Sequence, residues 1–411
     1  MKTMAPSRLW TGALVFMVPA LCLTTGPGIG LASFLILLSA LCVPRVASAA
    51  LARHWPAIRW VVLAFLFNVV LVLLQFLLRP EQPLSSVEKP LRMFCALSAL
   101  ALVLVARPPR QALWWGAILG AGGAFGMVAW QHLGLGIDRP GGMINAITFG
   151  DIVLTLGLLS LVAAIDFRRA GRTVLWPLLG GLAGVLALVI TGTRGAWLAV
   201  AFGALVCIRY GLVRHGRVRI LLGVGVALVA LLYLIPATSM QARVDEGVRD
   251  VRSWYAGGEK FTNLGIRLEL WKGAGMLIAE RPLLGRDHEA GRAELARHVQ
   301  AGRLDPVVLP AQHLHNDALQ ALANGGVVGL LALFGILAAP FAFFARQARA
   351  ALVQGQAPGT AALAGMLVAL GYFAFGLTEM MFWSGKACIF YALMIFILMG
   401  LSLDQKEERG N

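Results

Sequence analysis

The chain has 411 residues, 59% of them hydrophobic and only 13% charged, with a formal net charge of +15 at pH 7. Its mean hydropathy is +0.77. An ordinary water-soluble domain carries about 25% charged residues, so that class is excluded and the chain reads as an all-α integral membrane protein.

Windows long enough to cross about 30 Å of hydrocarbon predict twelve spans, at 9–25, 28–44, 57–78, 91–106, 113–134, 149–166, 174–191, 195–211, 219–237, 324–345, 359–378 and 387–403. The first follows Lys2 and Arg8, as a signal peptide would, but more membrane-type sequence follows it, so it is read as a retained helix. Cys22, Cys42, Cys95, Cys207 and Cys388 all fall within spans and form no CxxC pair, which points to small apolar residues rather than a disulfide framework or a zinc site. With the N-terminus in the cytoplasm, the inner segments hold 18 of the 35 basic residues against four acids, whereas the outer side is close to balanced. The charge excess is then a positive-inside signal, and nucleic acid is not needed as a partner. Three regions follow: spans one to nine over 1–237, a large outer loop over 238–323, and spans ten to twelve with a cytoplasmic tail over 324–411. For a bacterial chain these imply a multi-pass protein of the inner (cytoplasmic) membrane whose loop faces the periplasm.

Taken in chain order, the first polar feature is Thr191-Gly192-Thr193-Arg194-Gly195, the whole outer connection between the seventh and eighth spans. So short a turn keeps Arg194 at the membrane surface, where its guanidinium must snorkel or meet an anion. The planar fork suits a lipid-linked phosphate, although an interfacial anchor is the plainer reading. In the loop, a helix is expected from about Leu264 to Arg281, with Arg267, Leu270, Trp271 and Ala274 on one face. Arg267 and Trp271 are open to a bland reading too, as a cation–π pair that holds the helix down. Pro282 and Gly285 end it, Glu289–Gln300 reads as a second, solvated helix, and Pro306 to Pro310 lead into His313-Leu314-His315-Asn316-Asp317. From Leu314 the apolar residues recur at helical spacing through Asn324-Gly325-Gly326 into the tenth span, which places the polar cluster at the outer rim of the bilayer. His313 alone reads more readily as a surface histidine than as a catalyst, and Glu379 as an interfacial charge with Lys386 as a candidate partner.

His315-Asn316, nine intervening residues and Gly326-Val327-Val328-Gly329 resemble the His-Asn and Gly-x-x-Gly pattern of the O-antigen ligases, which share a superfamily with the O-antigen polymerases. Thr193-Arg194-Gly195 is similar to that family's short arginine-bearing turn. Arg267 with Trp271, followed by Glu280-Arg281-Pro282-Leu283-Leu284-Gly285, resembles the run at the head of its periplasmic loop. Here Gly285 is followed by Arg286-Asp287, where the family often has Gly-x-Gly. The likeness is specific from about Thr191 to Leu330 and only topological before that.

The resemblance implies a GT-C-like membrane glycosyltransferase that takes O-antigen from undecaprenyl diphosphate and joins it to a sugar hydroxyl of lipid A core oligosaccharide. His315 is then the general base by motif alignment, with Arg194 and Arg267 meeting the diphosphate. Gln312, His313, Asn316, Asp317, Trp271 and Lys272 are expected to bind substrate or orient His315. Two arginines can stand in for a cation, so neither metal nor cofactor is expected, and the scheme needs histidine and both guanidinium groups to converge. Rival readings are an O-antigen or capsule polymerase and a protein O-oligosaccharyltransferase of the same superfamily. A lipid or solute transporter fits less well, because the charges sit at the rim rather than mid-membrane.

Overall fold

A computed structural model of the chain describes residues 7–78, 84–210 and 240–410. All regular structure among the described residues is helical. In chain order the helices are α1 (Arg8–Leu21), α2 (Gly28–Leu41), α3 (Pro44–Leu78), α4 (Ser85–Cys95), α5 (Leu97–Ala106), α6 (Gln111–Ala129), α7 (Ala146–Arg169), α8 (Leu175–Thr191) and α9 (Trp197–Arg209). They continue as α10 (Met240–Tyr255), α11 (Asn263–Glu280), α12 (His288–Gln300), α13 (Asp317–Val353), α14 (Thr360–Gly376) and α15 (Gly385–Gly410). Among the described residues, six stretches, including α3, α7 and α13, are long and apolar enough to cross a membrane, and α1, α2, α8, α9 and α14 are shorter apolar helices. Eleven of the predicted spans thus coincide with described apolar helices; the ninth, 219–237, lies outside the described residues. α10 was not anticipated.

The chain forms two compact units, residues 1–206 with 332–411, and residues 207–331. In the first, glycine lets helices approach backbone to backbone. A Cβ added to Gly184 of α8 would stand 2.7 Å from the Cα of Gly157 on α7, and one added to Gly116 of α6 would strike the Phe16 carbonyl of α1. Close contact of this kind is how helices associate where no hydrophobic force drives them together. The apolar window of α15 is 94% buried and that of α3 only 22%, so α15 lies inside the unit and α3 faces its surroundings. At the end expected to be cytoplasmic, the buried Asp166 of α7 accepts from Arg110 Nε at 2.9 and 3.0 Å, Trp114 Nε1 at 3.2 Å and Thr360 Oγ1 at 3.3 Å. That set of bonds joins α6, α7 and α14.

The second unit has its own small apolar core. Leu270, Ala274 and Leu277 of α11, Leu295 of α12, and Leu304, Val308, Leu314 and Ala323 pack together there. A short 3₁₀ turn, Pro306–Val308, carries the chain to the polar motif. Helix α13 starts at Asp317, three residues later than the apolar spacing predicts, because the residues before it are held out of helical conformation. Inside α13, Gly326 takes φ 61°, ψ −156°, a combination open to almost no residue but glycine. The kink frees two amides, and Val327 N donates to Pro282 O at 2.8 Å and Val328 N to Leu283 O at 3.3 Å. Arg286 N donates back to Ala323 O at 2.9 Å. A Cβ on Gly285 (φ 57°) would stand 2.6 Å from the backbone of Asn324, Gly325 and Gly326.

The Pro-Leu-Leu-Gly run and the Gly-x-x-Gly run are therefore two sides of one backbone contact. Gly326→Ala and Gly285→Ala are each expected to destabilise this unit by about 2 kcal/mol or more, from the positive φ together with the overlap. Thermal melting of the detergent-solubilised protein checks this, with Gly275→Ala as reference, since a Cβ there meets open space. Equal melting of all three variants contradicts it.

Candidate functional site

Leu314 is the anchor of the motif. Its side chain is buried in the core of the second unit, while His313 and His315 on either side are half-buried. Both peptide groups of Leu314 are held as well, its amide by Gln320 Oε1 at 2.9 Å and its carbonyl by the Trp271 indole at 3.0 Å. Gln320 is itself oriented by Asn324, whose Oδ1 accepts from Nε2 at 2.9 Å. His315 sits at φ 51°, a left-handed conformation that costs an L-residue roughly 1–2 kcal/mol. That reversal brings the imidazoles together, with ring centroids 4.3 Å apart and planes at 64°, and lets the His315 amide donate to His313 Nδ1 at 3.4 Å. In neutral His313 the proton is then on Nε2. Asn316 caps α13, its Oδ1 accepting from Leu319 N at 2.9 Å, as asparagine does at this position. Asp317, 6% exposed, opens the helix, where a negative charge meets the positive end of the macrodipole. Gln312 is exposed.

Trp271 thus ties α11 to the motif instead of only stacking on its own helix. Trp271→Phe removes one hydrogen bond and leaves a buried carbonyl unpaired, so a loss of about 1–2 kcal/mol is expected in a melting experiment. No change in stability would show that the tie is immaterial. Arg267, one turn before Trp271, is half-buried and has no hydrogen-bond or ion-pair partner among the described residues. Lys272 differs, for its Nζ donates to Arg303 O at 2.8 Å and to Glu269 Oε1 at 3.4 Å.

Glu269 is a fully buried carboxylate that sequence reading passed over. It accepts from Trp254 Nε1 at 2.8 Å and from the Asp305 amide at 2.9 Å, with Lys260 Nζ 3.9 Å away. Burial pushes its carboxyl up, but the Asp305 amide, the Trp254 indole and the two ammonium groups outweigh burial and hold it below the ordinary value of 4.5. A depressed folded-state pKa contributes stability that is present above the unfolded value and is lost as pH falls through the folded one. The unit is therefore expected to melt lower as pH drops beneath about 4.5, and Glu269→Gln to flatten that dependence while lowering the melting temperature at neutral pH. Parallel melting curves for wild type and variant across this range would contradict the assignment.

The Arg194 turn belongs to the first unit. Gly192 caps α8 at φ 66°, Thr193 Oγ1 donates to Ala146 O at 3.1 Å, and the Thr191 and Thr193 hydroxyls pair at 3.0 Å. A Cβ on Gly195 would collide with the Thr378 hydroxyl. Between these fixed points Arg194 is exposed, and it too lacks a hydrogen-bond or ion-pair partner among the described residues. A third arginine is close by: a Cβ on Gly192 would lie 3.8 Å from Arg139 Nε. Arg139 sits in a Gly/Pro-rich loop some fifty residues upstream, and no local pattern marks it. Lys386 does not pair with Glu379 as expected. Its Nζ donates to Thr25 O at 2.8 Å, in the turn after α1, and to Cys22 O at 3.4 Å, at the cap of that helix, while Glu379 Oε1 accepts from the Met380 amide at 3.0 Å.

Residues 179–334 match the family model described as O-antigen ligase. This match supports membership of the O-antigen ligase superfamily. An uncharacterized protein of Haemophilus influenzae is 22% identical over 288 residues, which cover 69% of this chain and 72% of that protein. The O-antigen ligase match contains Arg194, Arg267, Trp271 and the whole His313–Asp317 motif, together with the glycine contact between 282–285 and 323–328. Arg139 and the helices before α8 lie ahead of it. The coarse activity that goes with the O-antigen ligase superfamily is that of a membrane glycosyltransferase or ligase acting on lipid-linked glycan.

Proposed function

We propose that this protein is an O-antigen ligase of the bacterial inner membrane, acting at the periplasmic face. It moves O-antigen from undecaprenyl diphosphate to a sugar hydroxyl of the lipid A core. The observation that carries the reading is the O-antigen ligase match over 179–334, within which His315 and both arginines fall. The acceptor oxygen attacks the anomeric carbon as the bond from that carbon to the diphosphate breaks, with inversion. The hydroxyl proton goes to His315, and undecaprenyl diphosphate departs with the electron pair. A sugar hydroxyl is a weak nucleophile at neutral pH, and a neutral imidazole is suited to take its proton.

The leaving diphosphate gathers charge where the dielectric is low, and fixed cations there are worth more than in water. Arg194 and Arg267, unengaged by protein groups among the described residues, are the cations assigned to it, and no divalent ion enters the step. His313 orients His315 through the ring contact. Asn316 and Asp317 hold the helix end beneath it, Trp271 holds the Leu314 carbonyl, and Gln312 and Lys272 lie along the acceptor glycan.

Complementation of a ligase-deficient strain tests the function. Long-chain glycan appearing on lipid A core is the expected result. Polymerised undecaprenyl-linked glycan returning while the core stays bare would assign the chain to the polymerases of the superfamily instead.

A further inference from the structure

One cluster in the second unit has no part in the proposed reaction. Glu280, the last residue of α11, meets Glu294 and His298 of α12, and a ligand atom from each lies within 4.8 Å of the others. Glu294 and His298 are four residues apart on one helix, so they share a face. His298 is 1% exposed, and neither of its ring nitrogens makes a hydrogen bond. Its Nε2 nevertheless points at Glu280 Oε1, 3.2 Å away but misaligned for a hydrogen bond. A buried imidazole left this way is costly. A cation placed between Nε2 and carboxylate, which needs no linear N–H···O, removes that nitrogen's share of the cost.

The arginines around the cluster leave room for one. Arg286 Nη2 takes Glu280 Oε2 at 2.8 Å, on the oxygen that does not face His298. Arg297 Nη1 takes Glu294 Oε2 at 2.9 Å, with Arg286 Nη1 3.8 Å from the same oxygen. Arg297 is 71% exposed and therefore screened. Two carboxylates are thus met by two guanidinium groups, of which only that of Arg286 is partly buried.

We propose that Glu280, Glu294 and His298 form a structural divalent-cation site of zinc type. One imidazole nitrogen with carboxylate oxygens is a donor set that suits zinc, and three protein ligands leave a fourth position for water on the exposed side of Glu280. Ligand atoms about 3.3 Å apart surround a tetrahedral ion with bonds near 2.0 Å, so modest rotation of the two glutamates completes the shell. The ion joins α11 to α12 across residues 281–287, the loop whose Gly285 packs on the α13 kink. It thereby holds in place the contact between the two glycine-bearing runs. This inference does not rest on the transferase reading.

The test uses the full-length protein in detergent, stripped with chelator, dialysed, and titrated with zinc chloride alone. One bound equivalent per chain and a melting temperature higher by several degrees are expected. Cobalt in place of zinc is expected to show the visible absorption of a low-coordinate site. His298→Ala and Glu294→Gln each lose the equivalent, the melting shift and the cobalt bands, whereas His313→Ala keeps all three. Should His298→Ala not fold, Glu294→Gln carries the test, since it keeps the side chain's shape. Absence of uptake, or uptake unchanged in Glu294→Gln, overturns the proposal. So does a melting temperature that does not respond to zinc.

Discussion

His315→Asn is expected to lower glycan transfer by about 10²- to 10⁴-fold, the usual contribution of a positioned general base, while the protein still inserts and folds. Asparagine is the informative replacement. His315 occupies φ 51°, a region asparagine tolerates better than most residues, so the base is removed with little backbone penalty. His315→Ala loses the same activity and in addition melts lower by the cost of alanine in a left-handed conformation. The measurement is kcat/KM with a polyprenyl-diphosphate glycan donor, beside melting of each variant. Retained turnover in His315→Asn with loss in His313→Ala moves the base by two residues. The structure makes that outcome distinct, since His313 Nδ1 already accepts from the His315 amide. If both variants keep activity, the base assignment falls altogether.

Arg194→Ala and Arg267→Ala are each expected to lower kcat/KM by about 10²- to 10³-fold, the scale on which a charge-stabilising group near a leaving oxyanion acts. Lysine at either position restores only part of the loss, because it cannot present a planar fork to two phosphate oxygens. Folding is expected to be nearly untouched, because neither guanidinium holds a hydrogen-bond or ion-pair partner among the described residues. Residues that serve one reacting centre are strongly non-additive. The double variant is therefore expected to be much less than multiplicatively worse, and adding either change to His315→Asn to cost little more. Full multiplicative loss would mean that the arginines and the histidine serve different steps. A drop in melting temperature equal to that of the glycine variants would mean that the arginines are structural.

The loop helices were legible because helix-spaced apolar residues and punctuation coincide there. Leu270, Ala274 and Leu277 are three and four apart and did become core, and Pro282 and Gly285 did end α11. The start of α13 was misplaced by three residues because periodicity counts Leu314 as helical. Leu314 is buried by packing against α11, with its amide and carbonyl held by Gln320 and Trp271. Lys272 reads as one more basic residue beside Trp271, yet its partners are the distant Arg303 carbonyl and Glu269. Charge along a chain says what a side chain carries and nothing about which carbonyl ends up within 3 Å of it.

Composition and hydropathy by themselves determined that this is a membrane-type helical chain. A motif of a few residues at fixed spacing pointed to the superfamily that the family match over 179–334 supports, because burial in hydrocarbon and the chemistry of His-Asn and Gly-x-x-Gly are properties of residue type and order. Tertiary structure alone decided that the two glycine-bearing runs are one backbone contact, that Trp271 holds the motif rather than stacking on Arg267, and that Glu280, Glu294 and His298 meet. Those facts depend on segments far apart in sequence being pressed together around a shared apolar core. Local pattern carries no record of which segments those are.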